Sequence, residues 1–98
     1  MADILPFPRR AAEPLWREEL GRSLRSTRRT QGARLVDVAE RAGISPQYLS
    51  EIERGRKEPS SEMIAAVTGA LGITLPDLLG SIARDLGRRP AGPVLMAA

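Results

Sequence analysis

Residues 35–60, LVDVAERAGISPQYLSEIERGRKEPS, contain two short helical patterns joined by a tight turn, and this arrangement restricts the possible folds. The first pattern repeats apolar residues at helical spacing, namely Leu35, Val38, Ala39 and Ala42. Gly43 then supplies a residue that tolerates a positive φ, which a three-residue turn requires. Ser45 as N-cap and Pro46 at the first helical position predict the start of the second helix. Because this arrangement presents its second helix outward, we predict a helix-turn-helix over 35–54.

Two further helices are predicted on either side of this unit. One should run over 15–29, and Gly32 breaks its pattern. Its apolar stripe consists of Leu15 or Trp16, Leu20 and Leu24. The other begins after Pro59, with Ser60 as its N-cap, and ends at Gly72. Its buried residues should be Met63, Ile64, Val67 and Leu71.

The fifth helix is capped by Thr74, with Asp77 three residues later. Its apolar stripe consists of Leu75, Leu78, Leu79, Ile82 and Leu86. The stripe is wider than a minimal domain needs, so it either closes the core or pairs with the same helix of a second subunit. We expect a homodimer through helix five, because proteins that present helices in this way usually bind paired half-sites.

The domain organisation follows from these patterns. No strand pattern occurs, so the fold class is all-α with five helices. The helical domain should span 15–87, between flexible tails at 1–14 and 88–98.

Composition excludes several classes of chemistry. The chain has no cysteine and no histidine, so disulfides, thiol nucleophiles, Cys/His zinc sites and imidazole catalysis are ruled out. The close acid pairs, Glu18–Glu19 and Glu51–Glu53, do not converge as catalytic carboxylates should. We therefore expect no enzyme, no metal and no cofactor. No apolar run reaches the length of a membrane span and no signal-peptide pattern is present, so we expect no membrane partner and a cytoplasmic location.

The positive charge is concentrated on the predicted helix-turn-helix and the helix before it. Residues 15–59 hold ten Arg or Lys against seven Asp or Glu, which accounts for the chain's entire net charge of +3. This distribution favours double-stranded DNA as the partner, because basic side chains neutralise phosphates and release counterions.

The predicted recognition helix, 45–54, should contact bases through the exposed positions of its first two turns. These are Ser45, Pro46, Gln47, Ser50 and Glu51. Gln47 can form two hydrogen bonds with an adenine edge, and Glu51 can accept one from cytosine. The alternative is that both are ordinary solvated helix residues. Pro46 can pack against a thymine methyl.

Phosphate contacts are expected next to that helix. Arg54, Arg56 and Lys57 follow it and should lie along the DNA backbone, where they supply affinity with little sequence information. Tyr48 either covers the edge of the core or reaches a phosphate with its hydroxyl.

The segment 24–78 resembles the Cro/CI-type, or XRE, family of helix-turn-helix transcriptional regulators. The resemblance rests on Arg28, Gly32, VAERAGIS over the turn, YLSEIERGRKEPS, and ALGI at the end of helix four. It implies a lambda-repressor-like five-helix fold, a sequence-specific regulator and a buried ion pair between Arg28 and Glu53. Where the family often has Ser or Thr followed by Gln, this chain has Arg34 and Leu35, so Arg34 is the expected replacement for the phosphate contact.

A narrower resemblance joins YLSEIERGRKEPSSEMIAA to the actinobacterial regulators of Clp protease genes, whose tails also end in small apolar residues. It implies Clp genes as targets. The ending Leu95, Met96, Ala97, Ala98 resembles tails that Clp proteases grip, which makes it a candidate degradation signal and Clp protease a candidate partner. A different class remains open: a helix-turn-helix module, such as an antitoxin or adaptor, that binds a protein partner.

Overall fold

The computed structural model describes residues 15–88, which form five α-helices and no strand. In chain order these are α1 Trp16–Thr30, α2 Leu35–Ala42, α3 Pro46–Glu53, α4 Ser61–Leu71 and α5 Leu75–Arg88. The predicted all-α, five-helix class is confirmed. The predicted tail at 1–14 lies outside the described residues, as do residues 89–98, which include the candidate degradation signal Leu95–Ala98.

Side-chain hydrogen bonds cap the starts of three of the described helices, α3, α4 and α5. The Ser45 and Ser60 hydroxyls accept hydrogen bonds from the Tyr48 and Met63 amides at 3.0 and 3.1 Å, which caps α3 and α4. A reciprocal pair caps α5, because the Thr74 hydroxyl accepts from the Asp77 amide while the Asp77 carboxylate accepts from the Thr74 amide. These hydrogen bonds lower the pKa of Asp77 below its usual value.

The core is built from aliphatic side chains of all five helices. Its fully buried members are Leu20, Leu24, Val38, Ala39, Leu49, Ile52, Val67 and Leu78. Ala39 has no exposed surface, in keeping with a small residue where α2 crosses its neighbours. The result is a continuous apolar centre that fixes α3 against α1 and α2.

Some residues of the predicted α1 and α5 stripes are exposed. Leu15 and Trp16 are 49% and 46% exposed, so the buried part of the α1 stripe begins at Leu20. On α5, Leu78 and Ile82 are buried, whereas Leu75, Leu79 and Leu86 are each about half exposed. Helical spacing places these three leucines on one face of α5, beside the buried pair.

Gln31, the residue after α1, and Arg41 of α2 donate hydrogen bonds to carbonyl groups at the end of α4. The Gln31 amide donates to the Leu71 carbonyl at 2.7 Å, and Arg41 donates to the Ala70 carbonyl at 2.9 Å. The last carbonyls of a helix have no partner within it, and a cation there also stabilises the helix dipole. These bonds fix α4 against the helix-turn-helix without contributing to its exposed face.

Among the described helices, no single one is long and apolar enough to cross a membrane. Helices α4 and α5 would pass such a test only as a pair, and that pair is bent by 93°.

Candidate nucleic-acid interface

The turn between α2 and α3 sets the direction of the candidate recognition helix. Gly43 adopts φ +77°, a left-handed backbone conformation that residues other than glycine rarely adopt. Its amide donates to the Ala39 and Glu40 carbonyls and so ends α2. Ser45 is the N-cap, in an extended backbone conformation, and Pro46 is the first residue of α3. On the inner side of α3, Leu49 and Ile52 are completely buried. The opposite side must therefore face away from the core.

That opposite side is not covered by the rest of the described chain. Ser45, Pro46 and Gln47 are exposed, while Ser50 and Glu51 are partly buried. Within residues 15–88, the side chains of Gln47, Ser50 and Glu51 make no hydrogen bond or ion pair. Their donors and acceptors are available to a ligand, as direct reading of base edges requires. Tyr48 is partly buried, and its ring packs against the core.

An ion pair between Arg28 of α1 and Glu53 of α3 lies behind this surface. The Arg28 guanidinium donates to the two Glu53 carboxylate oxygens at 2.8 and 3.0 Å, and a third bond reaches the Ala33 carbonyl at 3.0 Å. The two side chains are 14% and 5% exposed, so both charges are largely removed from water. Hydrogen bonding to Glu53 raises the pKa of Arg28 above its usual value. The pair joins α1 to α3.

The basic loop after α3 is held against the start of α1. Gly55 is buried at φ +77°, and a Cβ added there would lie 2.9 Å from the Glu18 side chain. The Arg17 guanidinium donates to the Gly55 carbonyl at 3.0 Å. Sequence reasoning missed this role of Arg17, since no local pattern marks a bond between residues 38 positions apart. The contact fixes the loop that carries Arg54, Arg56 and Lys57, all three of which are exposed.

Arg34, the expected replacement for a phosphate contact, already has a partner. Its guanidinium donates to both Asp37 carboxylate oxygens at 3.0 and 3.2 Å. The pair is well exposed, and the hydrogen bond from Arg34 lowers the pKa of Asp37. A phosphate must therefore share Arg34 with this carboxylate, which makes Arg34 a weaker candidate than Arg56 or Lys57.

Comparison with known proteins agrees with this geometry. The chain matches the Helix-turn-helix domain family over residues 19–79. It is 48% identical over 77 residues to the transcriptional regulator ClgR of Mycobacterium tuberculosis, covering 79% of this chain. The same alignment spans 65% of that relative's length, just under two thirds.

Solved structures give the same assignment. The clp gene regulator ClgR from C. glutamicum is 49% identical, with a TM-score of 0.73, and the match covers 79% of this chain and all of that one. The resemblance to Cro/CI-type regulators, and among them to the actinobacterial Clp-gene regulators, is thereby confirmed. The restriction-modification controller C.Esp1396I, solved on a 25 base pair operator site, has a TM-score of 0.72 at 14% identity. That match covers 78% of this chain and 100% of that one, and it supports the fold alone.

Proposed function

This chain belongs to the Helix-turn-helix domain family, and from that premise we propose that it is a sequence-specific DNA-binding transcriptional regulator whose α3 enters the major groove. The observation that carries the proposal is the uncovered outer side of α3, with the unpaired Gln47, next to the exposed basic loop. Phosphate contacts from such a loop position a protein on the duplex, and the exposed helix positions read the bases. The named relatives are regulators and not enzymes, which supports the expectation that no catalysis is involved.

The test is selection of bound duplexes from a random pool, followed by titration of the recovered operator at several salt concentrations. A regulator should enrich one consensus, and its affinity should fall steeply as salt rises. The competing proposal, a module that binds a protein partner, predicts no enriched consensus and a weaker salt dependence.

Base reading and phosphate binding give different results in the same titration. Gln47→Ala should weaken operator binding by about 1–3 kcal/mol and relax the consensus at one base pair per half-site, with an unchanged salt slope. Arg56→Ala is the contrasting variant, because it should weaken binding to every duplex and reduce the magnitude of the salt slope by about 0.9 per half-site. If Gln47→Ala leaves both affinity and consensus unchanged, Gln47 does not read a base.

We further propose a homodimer formed through α5. One support is that Leu75, Leu79 and Leu86 are each about half exposed on one face of α5, which leaves a contiguous apolar surface in contact with water unless a second subunit covers it. The other support is that binding to paired half-sites requires a protein with two-fold symmetry.

Leu79→Glu should raise the dimer dissociation constant by about tenfold or more, because each subunit loses apolar burial and gains a charge in the interface. Sedimentation equilibrium measures this shift. Val36→Glu is the matched control, since Val36 is also 46% exposed but lies on α2. A chain that is monomeric before substitution, or a dimer equally sensitive to both changes, would contradict an interface on α5.

The targets follow from the same similarities. Both relatives are ClgR proteins, and one is described as a clp gene regulator. We therefore propose that Clp protease genes are among the targets of this chain. The test is whether the selected consensus occurs upstream of those genes and whether the bound protein protects that DNA from nuclease cleavage.

A further inference from the structure

A cleft between α1 and the end of α3 gathers arginines that lie far apart in the sequence. Its lining consists of Glu18, Arg22, Arg25, Glu53, Arg54 and Arg56, and it is called here the arginine cleft. Four cations therefore lie around two anions on one side of the molecule. The cleft adjoins the basic loop already proposed to follow the DNA backbone.

The two anions of the cleft are already engaged by other groups. Glu53 accepts both of its short hydrogen bonds from Arg28, which is not part of the lining. Glu18 accepts from the Leu15 amide at 3.1 Å. Arg22 is paired with Glu19 at 2.8 Å. The cations that remain unpaired are therefore not neutralised by the acids beside them.

Of the two α1 arginines that line the cleft, Arg22 and Arg25, Arg25 is the one without a partner among the described residues. Within the described part of the chain, its side chain makes no ion pair and no hydrogen bond, and it is exposed. A guanidinium presents five donors in a planar fork that matches the oxygens of a phosphate. The arrangement leaves all of these donors available.

The helix crossing directs Arg25 toward the outer side of α3. One turn earlier, the α1 backbone at Gly21 approaches α3 so closely that an added Cβ would lie 2.2 Å from the Ile52 carbonyl oxygen. Arg25 also lines a smaller depression together with Leu35, Ser50, Arg54 and the Arg28–Glu53 pair. It therefore lies beside both the first residue of α2 and the exposed half of α3.

The opposite side of α1 is used for a different purpose. The Ser23 hydroxyl donates to the Ser81 hydroxyl at 2.9 Å, which joins α1 to α5. Two residues along a helix turn the side chain by about 200°. Arg25 therefore faces away from α5 and toward the surface that α3 presents.

We propose that Arg25 binds a DNA backbone phosphate next to the groove entered by α3, as the α1 half of a clamp whose other half is Arg54. The inference rests on the proposed function. It assigns a phosphate contact to α1, outside the helix-turn-helix and its basic loop. The occupant is the DNA backbone because the cleft continues directly into the surface that carries Ser50 and the loop arginines.

The experiment is a titration of the selected operator at several salt concentrations with the full chain and three variants. Arg25→Gln should bind the operator and unrelated duplexes about 5–10-fold more weakly per half-site near 0.1 M salt, and the magnitude of its salt slope should fall by about 0.9 per half-site. Arg25→Lys should restore most of the slope, because it restores the charge. Arg84→Gln is the matched control, since it removes the same charge from an exposed position on α5 and should leave the slope unchanged.

The outcomes separate this inference from the function on which it rests. If the wild-type chain binds the operator and Arg25→Gln matches Arg84→Gln in slope and affinity, Arg25 is a solvated surface residue and the inference is overturned. If the wild-type chain enriches no duplex, the proposed function is contradicted, and the inference about Arg25 fails together with it. Arg25→Gln should unfold at the same urea concentration as the wild type, because its side chain has no partner to lose. A lower urea midpoint for Arg25→Gln would mean that its weaker DNA binding comes from a less stable fold, and it would also overturn the inference.

Discussion

Glu53→Ala should lower the free energy of unfolding by about 3–5 kcal/mol, because it leaves the Arg28 guanidinium buried without its anion. Arg28 also loses both short hydrogen bonds that join α1 to α3, and only its bond to the Ala33 carbonyl remains. Urea unfolding followed by circular dichroism measures the loss. The variant should also bind operator poorly, since the end of α3 is no longer fixed.

Two further variants test whether the loss comes from the stranded charge. The double change Arg28→Met with Glu53→Leu removes both ions, so it should recover much of the stability lost in Glu53→Ala. Arg34→Ala removes an arginine–carboxylate pair of similar geometry that is well exposed, and it should change stability little. If Glu53→Ala and Arg34→Ala have equal effects, the buried pair does not join the two helices as described.

Gly21→Ala should destabilise the domain by roughly 1–3 kcal/mol or more, because the added methyl group has no space. Its Cβ would lie 2.2 Å from the Ile52 carbonyl oxygen and 2.7 Å from that of Glu53. Both are backbone atoms, so α1 and α3 must separate to relieve the contact. Urea unfolding gives the stability change, and operator titration shows whether the displacement reaches the outer side of α3.

Gly69→Ala is the matched control for this prediction. Gly69 is an exposed position inside α4, and a Cβ added there meets nothing within 4 Å. Alanine is the better helix former by about 0.8–1.0 kcal/mol, so Gly69→Ala should stabilise the domain. The same substitution in two helices should therefore change the free energy of unfolding in opposite directions. If both variants are stabilised, the close approach at Gly21 does not exist in solution.

The sequence is sufficient to predict the helices because local chemistry determines their ends. Ser45 followed by Pro46, and Thr74 followed by Asp77, are start signals that depend on neighbouring residues alone. Helical spacing likewise places Leu49 and Ile52 inward and Gln47 outward. The outer side of α3 is therefore predictable from the sequence.

Features that depend on how helices cross were not predictable in the same way. Gly21 has the same local appearance as Gly69, and only the position of α3 makes one of them irreplaceable by alanine. The crossing of α1 and α3 places Arg25 beside α3, close to the Arg28–Glu53 pair, and helical spacing within α1 does not reveal this. The exposure of Leu15 and Trp16 has the same origin, since the core contacts of α1 begin at Leu20.

The proposed function requires α3 to lie in the major groove with Gln47 close to base edges, and disulfide trapping tests this placement directly. The chain contains no cysteine, so Gln47→Cys supplies a single thiol, and Arg84→Cys on α5 supplies an equally unique control. The partner thiol is tethered to the major-groove edge of one base in a half-site of the selected operator. We predict rapid cross-linking through position 47 and only background cross-linking through position 84. Equal cross-linking of the two variants would contradict the placement of α3 and the function derived from it.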